Sequence, residues 1–144
     1  MALPINNKVG FKVGATSPAN INLSTWVTSF TINHSAAELD VTAMGDTGMR
    51  VVKGLEQNTL SVDLLNENGT SGVLQTLQTL WGTNAYFQCI QDSTAAISAS
   101  NPLYTGLILI NNTTDIAGAV SDIVSQSLTF TVSGALTIAS TGTW

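Results

Sequence analysis

Ser127-Leu128-Thr129-Phe130-Thr131-Val132-Ser133 sets an apolar side chain at every second position and a hydroxyl between. Successive side chains of an extended strand point to opposite faces, so this stretch makes a ribbon with one oily side and one wet side. Wound as a helix, the same residues would scatter Leu128, Phe130 and Val132 around its circumference. The alternation recurs in Leu60-Ser61-Val62-Asp63-Leu64. It recurs again in Trp26-Val27-Thr28-Ser29-Phe30-Thr31-Ile32, where Trp26, Phe30 and Ile32 share a side. β-Branched and aromatic residues fill all three runs, as half-buried strands require.

Working outward, shorter strands are expected at Lys8 to Val13, Leu39 to Ala43, Met49 to Lys53, Tyr86 to Gln91 and Leu136 to Ala139. Leu103 to Ile110 ends apolar on both faces, which predicts burial on both sides. One segment departs from period two. Between Gly72 and Gly82, Val73, Leu74, Leu77, Leu80 and Trp81 recur at helical spacing, with Thr70 or Ser71 placed to cap the start and Gly82 to end it. This predicts one amphipathic helix of about three turns. Asn68-Gly69, Asn101-Pro102, Asn111-Asn112 and Ser133-Gly134 supply turns. No linker or repeat divides the chain, so residues 1–144 read as a single domain. The fold class is mainly β: an antiparallel β-sandwich or open barrel flanked by one α-helix.

The composition narrows function. Charged residues are only 9% of the chain, where about 25% is usual, and Ser, Thr, Asn and Gly fill the gap. A neutral polar surface offers little like-charge repulsion between copies, which favours an assembly subunit. The net charge is −5 and the basic residues are Lys8, Lys12, Arg50 and Lys53, too few for a stripe that tracks nucleic-acid phosphates. Such an acidic chain repels nucleic acid, which suits a wall that DNA passes without being held. Cys89, the single cysteine, sits in a strand-like run and reads as a buried inert thiol. His34 is the single histidine, and no cofactor or metal spacing surrounds it. The apolar run Leu107 to Ile110 is far too short to span a bilayer, and the N-terminal stretch lacks the apolar core of a signal peptide. The chain therefore reads as soluble and made in the cytoplasm, with no membrane partner.

One catalytic motif needs weighing. Met44-Gly45-Asp46-Thr47-Gly48-Met49 contains Asp-Thr-Gly, the triplet around the reactive aspartate of aspartic proteases. That chemistry needs two carboxylates sharing a proton and a glycine-rich flap over the cleft. A dimer could bring the second carboxylate, but nothing in the sequence clearly supplies the flap. Gly45, Asp46 and Gly48 fit the bend of a loop between strands. A Ser-His-Asp hydrolase would have to use His34, and no G-x-S-x-G elbow is present. The chain reads as a non-enzyme.

The stretch Leu23 to Leu65, "LSTWVTSFTINHSAAELDVTAMGDTGMRVVKGLEQNTLSVDLL", resembles the N-terminal half of phage tail tube (major tail) proteins. "NPLYTGLILINN" resembles that family's Asn-Pro-x-Tyr-x-Gly strand opening, and "SLTFTVSGALTIA" its closing strand pair divided by a Ser-Gly bend. The resemblance implies a subunit of homohexameric rings that stack into a tube in the virion tail, assembled in the host cytoplasm. DNA would cross the lumen at ejection without specific binding, and tape-measure and tail terminator or initiator proteins would be partners. It also implies that the long loop, here about 39–55, reaches a neighbouring ring or subunit and stays mobile until subunits stack. Asp40, Asp46, Arg50 and Lys53 would be its assembly residues, with the two basic groups pairing to carboxylates of the next subunit. No long arm is evident beyond Met1 to Asn7.

A second class stays open. A β-sandwich of this size also suits a capsid decoration or adhesin-like binding module, with Trp81, Trp144, Tyr86 and Tyr104 as sugar-stacking candidates. Trp81 on the apolar helix face and Tyr86 in a strand are expected in the core, and Trp144 has no assigned place.

Overall fold

The structure is a computed structural model that describes residues 8–144, so the Met1 to Asn7 stretch lies outside the described residues. In chain order the strands are β1 (Gly10–Gly14), β2 (Ile21–Asn22), β3 (Val27–Asn33), β4 (Ala36–Asp40), β5 (Val51–Glu56), β6 (Thr59–Leu65), β7 (Asn84–Ile90), β8 (Leu103–Leu109) and β9 (Ser125–Ala139). The helix α1 (Val73–Thr79) lies between β6 and β7. Seven strands form one antiparallel sheet in the order β2-β1-β7-β8-β9-β6-β3, and β4 pairs with β5 as a separate ribbon.

The long strand β9 gives the sheet its shape. Its first half pairs with β6, setting Leu128 opposite Val62 and Phe130 opposite Leu60. Its second half pairs with β8, from Val132 opposite Ile108 to Ala139 opposite Leu103. Ser133-Gly134 is thus a bend inside one strand rather than a break between two. Gly134 takes a φ of +84°, which a side chain disfavours, and the β8 register slips there between Thr105 and Leu107. The bent strand curls the sheet far enough that Phe11 on β1 meets Phe30 on β3, with ring centroids 5.4 Å apart. The expected mainly-β open barrel with one helix is what forms, as a half-barrel.

Alternation puts the core on the concave side. Leu60, Val62 and Leu64 of β6, Leu128, Phe130 and Val132 of β9, and Ala85, Phe87 and Cys89 of β7 are all buried. Each large one contributes about 1.5–3 kcal/mol against exposure. Ser61, Asp63, Ser127, Thr129 and Thr131 face away.

The helix is shorter than its sequence period suggests. It covers seven residues, and neither Thr70 nor Ser71 caps it by a side chain. Instead Gln75 reaches back, its Oε1 accepting the Ser71 N–H at 2.6 Å. Val73, Leu77 and the following Leu80 join the core. Gly82, with a φ of +74°, closes the turn, and its N–H donates to the Ile110 carbonyl at 2.8 Å. β8 is also not buried on both sides: Ile108 and Ile110 are fully buried, while Leu109 between them faces out.

Candidate functional site

β4 and β5 flank residues 41–50, the middle of the expected loop at 39–55. They form a two-stranded ribbon, with Leu39 opposite Val52 and Asp40 opposite Val51, and its register slips between Ala36 and Glu38. The strands start and stop about three residues away from their sequence-predicted bounds. A hydrogen-bonded turn joins them. Asp40 Oδ1 accepts the Thr42 N–H at 2.9 Å, and Asp46 Oδ2 accepts the Ala43 N–H at 2.7 Å. Arg50 closes the turn, donating its N–H to Thr42 Oγ1 at 2.8 Å while its carbonyl accepts the Val41 N–H. Asp46 is therefore a turn former, and this carboxylate of the Asp-Thr-Gly triplet is engaged by backbone and by Arg50, whose Nε lies 3.5 Å away.

Polar side chains pin the root of the ribbon to the sheet. Asn58 is buried; its Oδ1 accepts the Ser35 N–H at 3.0 Å and its carbonyl accepts the Val132 N–H at 2.9 Å. Ser35 and Gln57 close the same corner through their backbones. Beside them Glu56 receives both Lys53 Nζ at 3.1 Å and His34 Nε2 at 3.3 Å. The His34 contact first, and Lys53 second, hold the Glu56 carboxyl down to about 2. Thr42, through its hydroxyl and backbone N–H, lowers Asp40 as well. Arg50 and Lys53 thus both have a carboxylate within their own chain. These pairs are solvent-exposed, and such pairs hold weakly enough to be exchanged for others.

Among the described residues the ribbon's large apolar groups are left uncovered. Met44 is wholly exposed, Leu55 is 84% exposed, and Leu39, Met49, Val51 and Val52 all lie open to solvent. Both faces are apolar, since Leu39 and Val52 share one side and Val51 takes the other. Scattered exposed Leu or Val residues are ordinary, but a contiguous cluster of this kind marks an interaction surface.

A second apolar surface escaped sequence reading. In the connection between β8 and β9, Ile116 and Val120 are each 96% exposed, with Ile123 beside them in the chain. This connection is also anchored by buried amide chemistry. Gln126 Oε1 accepts the Thr114 N–H and its Nε2 donates to Asn66 Oδ1, while Asn66 Nδ2 donates to the Asp115 carbonyl. The available signal was apolar residues set among turn formers with neither helical nor strand period.

The aromatic residues differ from expectation in two places. Trp81 is 55% exposed because the helix ends at Thr79, so helical phase no longer directs it inward. Tyr86 faces out because the alternation of β7 turns Ala85 and Phe87 inward. Tyr104 packs against the core edge. Trp144 lies across Gly10, where a Cβ would overlap its ring, with Lys12 Nζ 4.3 Å from the ring centroid. The Cys89 thiol is buried within 3.8 Å of the Tyr104 carbonyl, and burial pushes its pKa up. A concavity of about 450 Å³ beside Phe30, Ile32, Cys89 and Tyr104 has no carboxylate, amine or imidazole in its lining. Among the described residues no group of three or more His, Cys, Asp or Glu is placed to hold a metal, and no helix is long and apolar enough to cross a membrane.

No family model and no curated protein matches the sequence. The fold does match solved structures. A chain in the virion of a native gene transfer agent particle superposes with a TM-score of 0.66 at 15% identity, over 90% of this chain and 95% of that one. A chain in the tail of an empty gene transfer agent particle, refined with C6 symmetry, gives 0.65 at 16% identity over the same shares. The chain has the fold of a virion tail component. The match spans the half-barrel nearly end to end, so the fold implied by the sequence resemblance to tail tube proteins and the fold observed agree.

Proposed function

We propose that this protein is the structural subunit of a phage-type tail tube. Six copies form a ring, rings stack, and the stack encloses the channel through which DNA leaves at ejection. The carrying observation is near full-length fold agreement with a chain of a six-fold symmetric tail. The apolar ribbon supports it, because its large apolar side chains stay open to solvent among the described residues and suit cover by another chain. The low charge content fits dense packing of copies, and the acidic balance fits a wall that phosphate does not stick to. In this reading the protein is a non-enzymatic part of the virion tail, assembled in the host cytoplasm, with tape-measure and terminator or initiator proteins as further partners. Asp40 and Asp46 shape the ribbon turn, and Arg50 and Lys53 set its register against a neighbour.

Negative-stain electron microscopy at rising protein concentration tests this. Rings or hollow tubes with six-fold end views are expected. Small single particles at every concentration, together with glycan binding, would favour the binding-module reading, to which the exposure of Trp81 and Tyr86 lends its one support.

A further inference from the structure

Of the three tryptophans, two have their rings occupied within the chain. Trp26 packs against the core, and Trp144 lies across Gly10 with Lys12 Nζ 4.3 Å from its ring centroid. Trp81 is 55% exposed, and with Gln78, Thr113 and Asp115 it borders a cleft of about 280 Å³. Both walls of this cleft are pinned by hydrogen bonds. On one side the Gly82 N–H donates to the Ile110 carbonyl at 2.8 Å and the Ile110 N–H donates to the Thr83 carbonyl at 3.0 Å. These bonds hold the turn that carries Trp81 beside the start of the β8–β9 connection. On the other side buried Gln126 accepts the Thr114 N–H, and Asn66 Nδ2 donates to the Asp115 carbonyl. A cleft held in this way exists before a ligand arrives, so binding has little ordering left to do.

The polar groups of the cleft are placed but unspent. Asp115 Oδ1 accepts the Thr113 hydroxyl at 2.9 Å, which orients the carboxylate. Asp115 Oδ2, the Gln78 carboxamide and the Trp81 indole N–H meet no partner among the described residues. No basic side chain lines the cleft. Asp115 repels an anion, and a purely apolar ligand would leave carboxylate and carboxamide unpaired. A lone cation would use Asp115 and the ring while leaving the Gln78 amide idle. A pyranose uses every wall. Its C–H face covers the indole, one hydroxyl donates to Asp115 Oδ2, and a neighbouring one accepts from the Gln78 amide.

We propose that Trp81, Gln78, Thr113 and Asp115 form a binding site for one neutral pyranose ring of a glycan. The cleft lies within a single chain, so the site does not rest on the tube reading.

NMR titration of the full chain with the methyl pyranosides of galactose, glucose and mannose, each added separately, tests this. With at least one of them the Trp81 indole N–H and the Gln78 side-chain amide should shift together, while the Trp26 and Trp144 indoles stay still. The Kd should be on the order of 1 mM, as a ligand this small allows. Trp81→Ala should weaken binding at least about tenfold and Asp115→Asn at least about fivefold. Both side chains are exposed, so core methyl signals should not move in either variant. Tyr86→Ala, which removes an exposed tyrosine outside the cleft, should leave binding unchanged. Shifts produced by agmatine, a guanidinium probe, and by none of the three sugars would overturn the saccharide assignment. Still signals with every probe at about 50 mM would overturn the site itself. Rings or tubes scored by microscopy in the same samples bear on assembly alone, so the two readings fail separately.

Discussion

Two antiparallel strand pairs in this molecule share a composition and differ in what covers them. In β6–β9, Leu60, Val62, Leu128 and Phe130 stand on one side, every one of them buried, and Ser61, Thr129 and Thr131 stand on the other. In β4–β5, apolar groups stand on both sides and none of the large ones is buried. The first pair is held by its own chain. The second is held at its root by Asn58 and Ser35 and otherwise shows its side chains to solvent. Clean alternation therefore identifies what folds the subunit. Apolar groups on two open faces mark the part that a neighbour would cover in the tail tube proposed above.

The largest effect expected from that contrast is on the core pair. Phe130→Ala removes a fully enclosed ring and should cost about 3–5 kcal/mol in chemical denaturation, enough to threaten folding of a domain this size. A loss below 1 kcal/mol would mean that the half-barrel is not the stabilising unit. Asn58→Ala strands the Ser35 N–H at the ribbon root and should cost about 1–3 kcal/mol. Substituting the ribbon itself, as Val52→Ser/Leu55→Ser, should shift denaturation by no more than about 0.5 kcal/mol per site, because exposed side chains leave little burial to lose. The same variant should fail to form tubes, scored by sedimentation beside the unmodified chain. A stable, fully assembling variant would break the contrast.

The smallest effect is set by pH. Glu56 has its folded pKa depressed, so the stability it gives is present above the ordinary glutamate range and is lost as pH falls toward about 2. Between pH 4.5 and 2 the His34–Glu56–Lys53 cluster should loosen while β6–β9 does not. Carboxyl chemical shifts of Glu56 followed by NMR should give a midpoint well below that of an unstructured glutamate. An ordinary midpoint would remove the cluster as a tether.

How much of this was legible in the sequence follows the same division. Leu60 to Leu64 and Ser127 to Ser133 declared their strands because one face of each meets the chain's own core, and burial imposes a phase. β4 and β5 were legible only as strands flanking a loop, with bounds displaced, because no core sets a phase for Leu39, Val51 or Leu55. Asp40, Asp46, Arg50 and Lys53 were found as a group, yet their partners within the chain depend on turn geometry that spacing does not reveal. Trp81 misled because helical phase was carried past Thr79. Ile116, Val120 and Ile123 gave no periodic signal, since they sit in irregular chain where neither strand nor helix imposes a phase.

Amide hydrogen exchange, read in dissociated chain and in assembled tubes, tests the central claim most directly. The β4–β5 amides should exchange quickly in the dissociated chain and become protected in tubes, while β6–β9 amides are protected in both. Ribbon amides that exchange alike in the two states would contradict the assignment of β4–β5 to assembly.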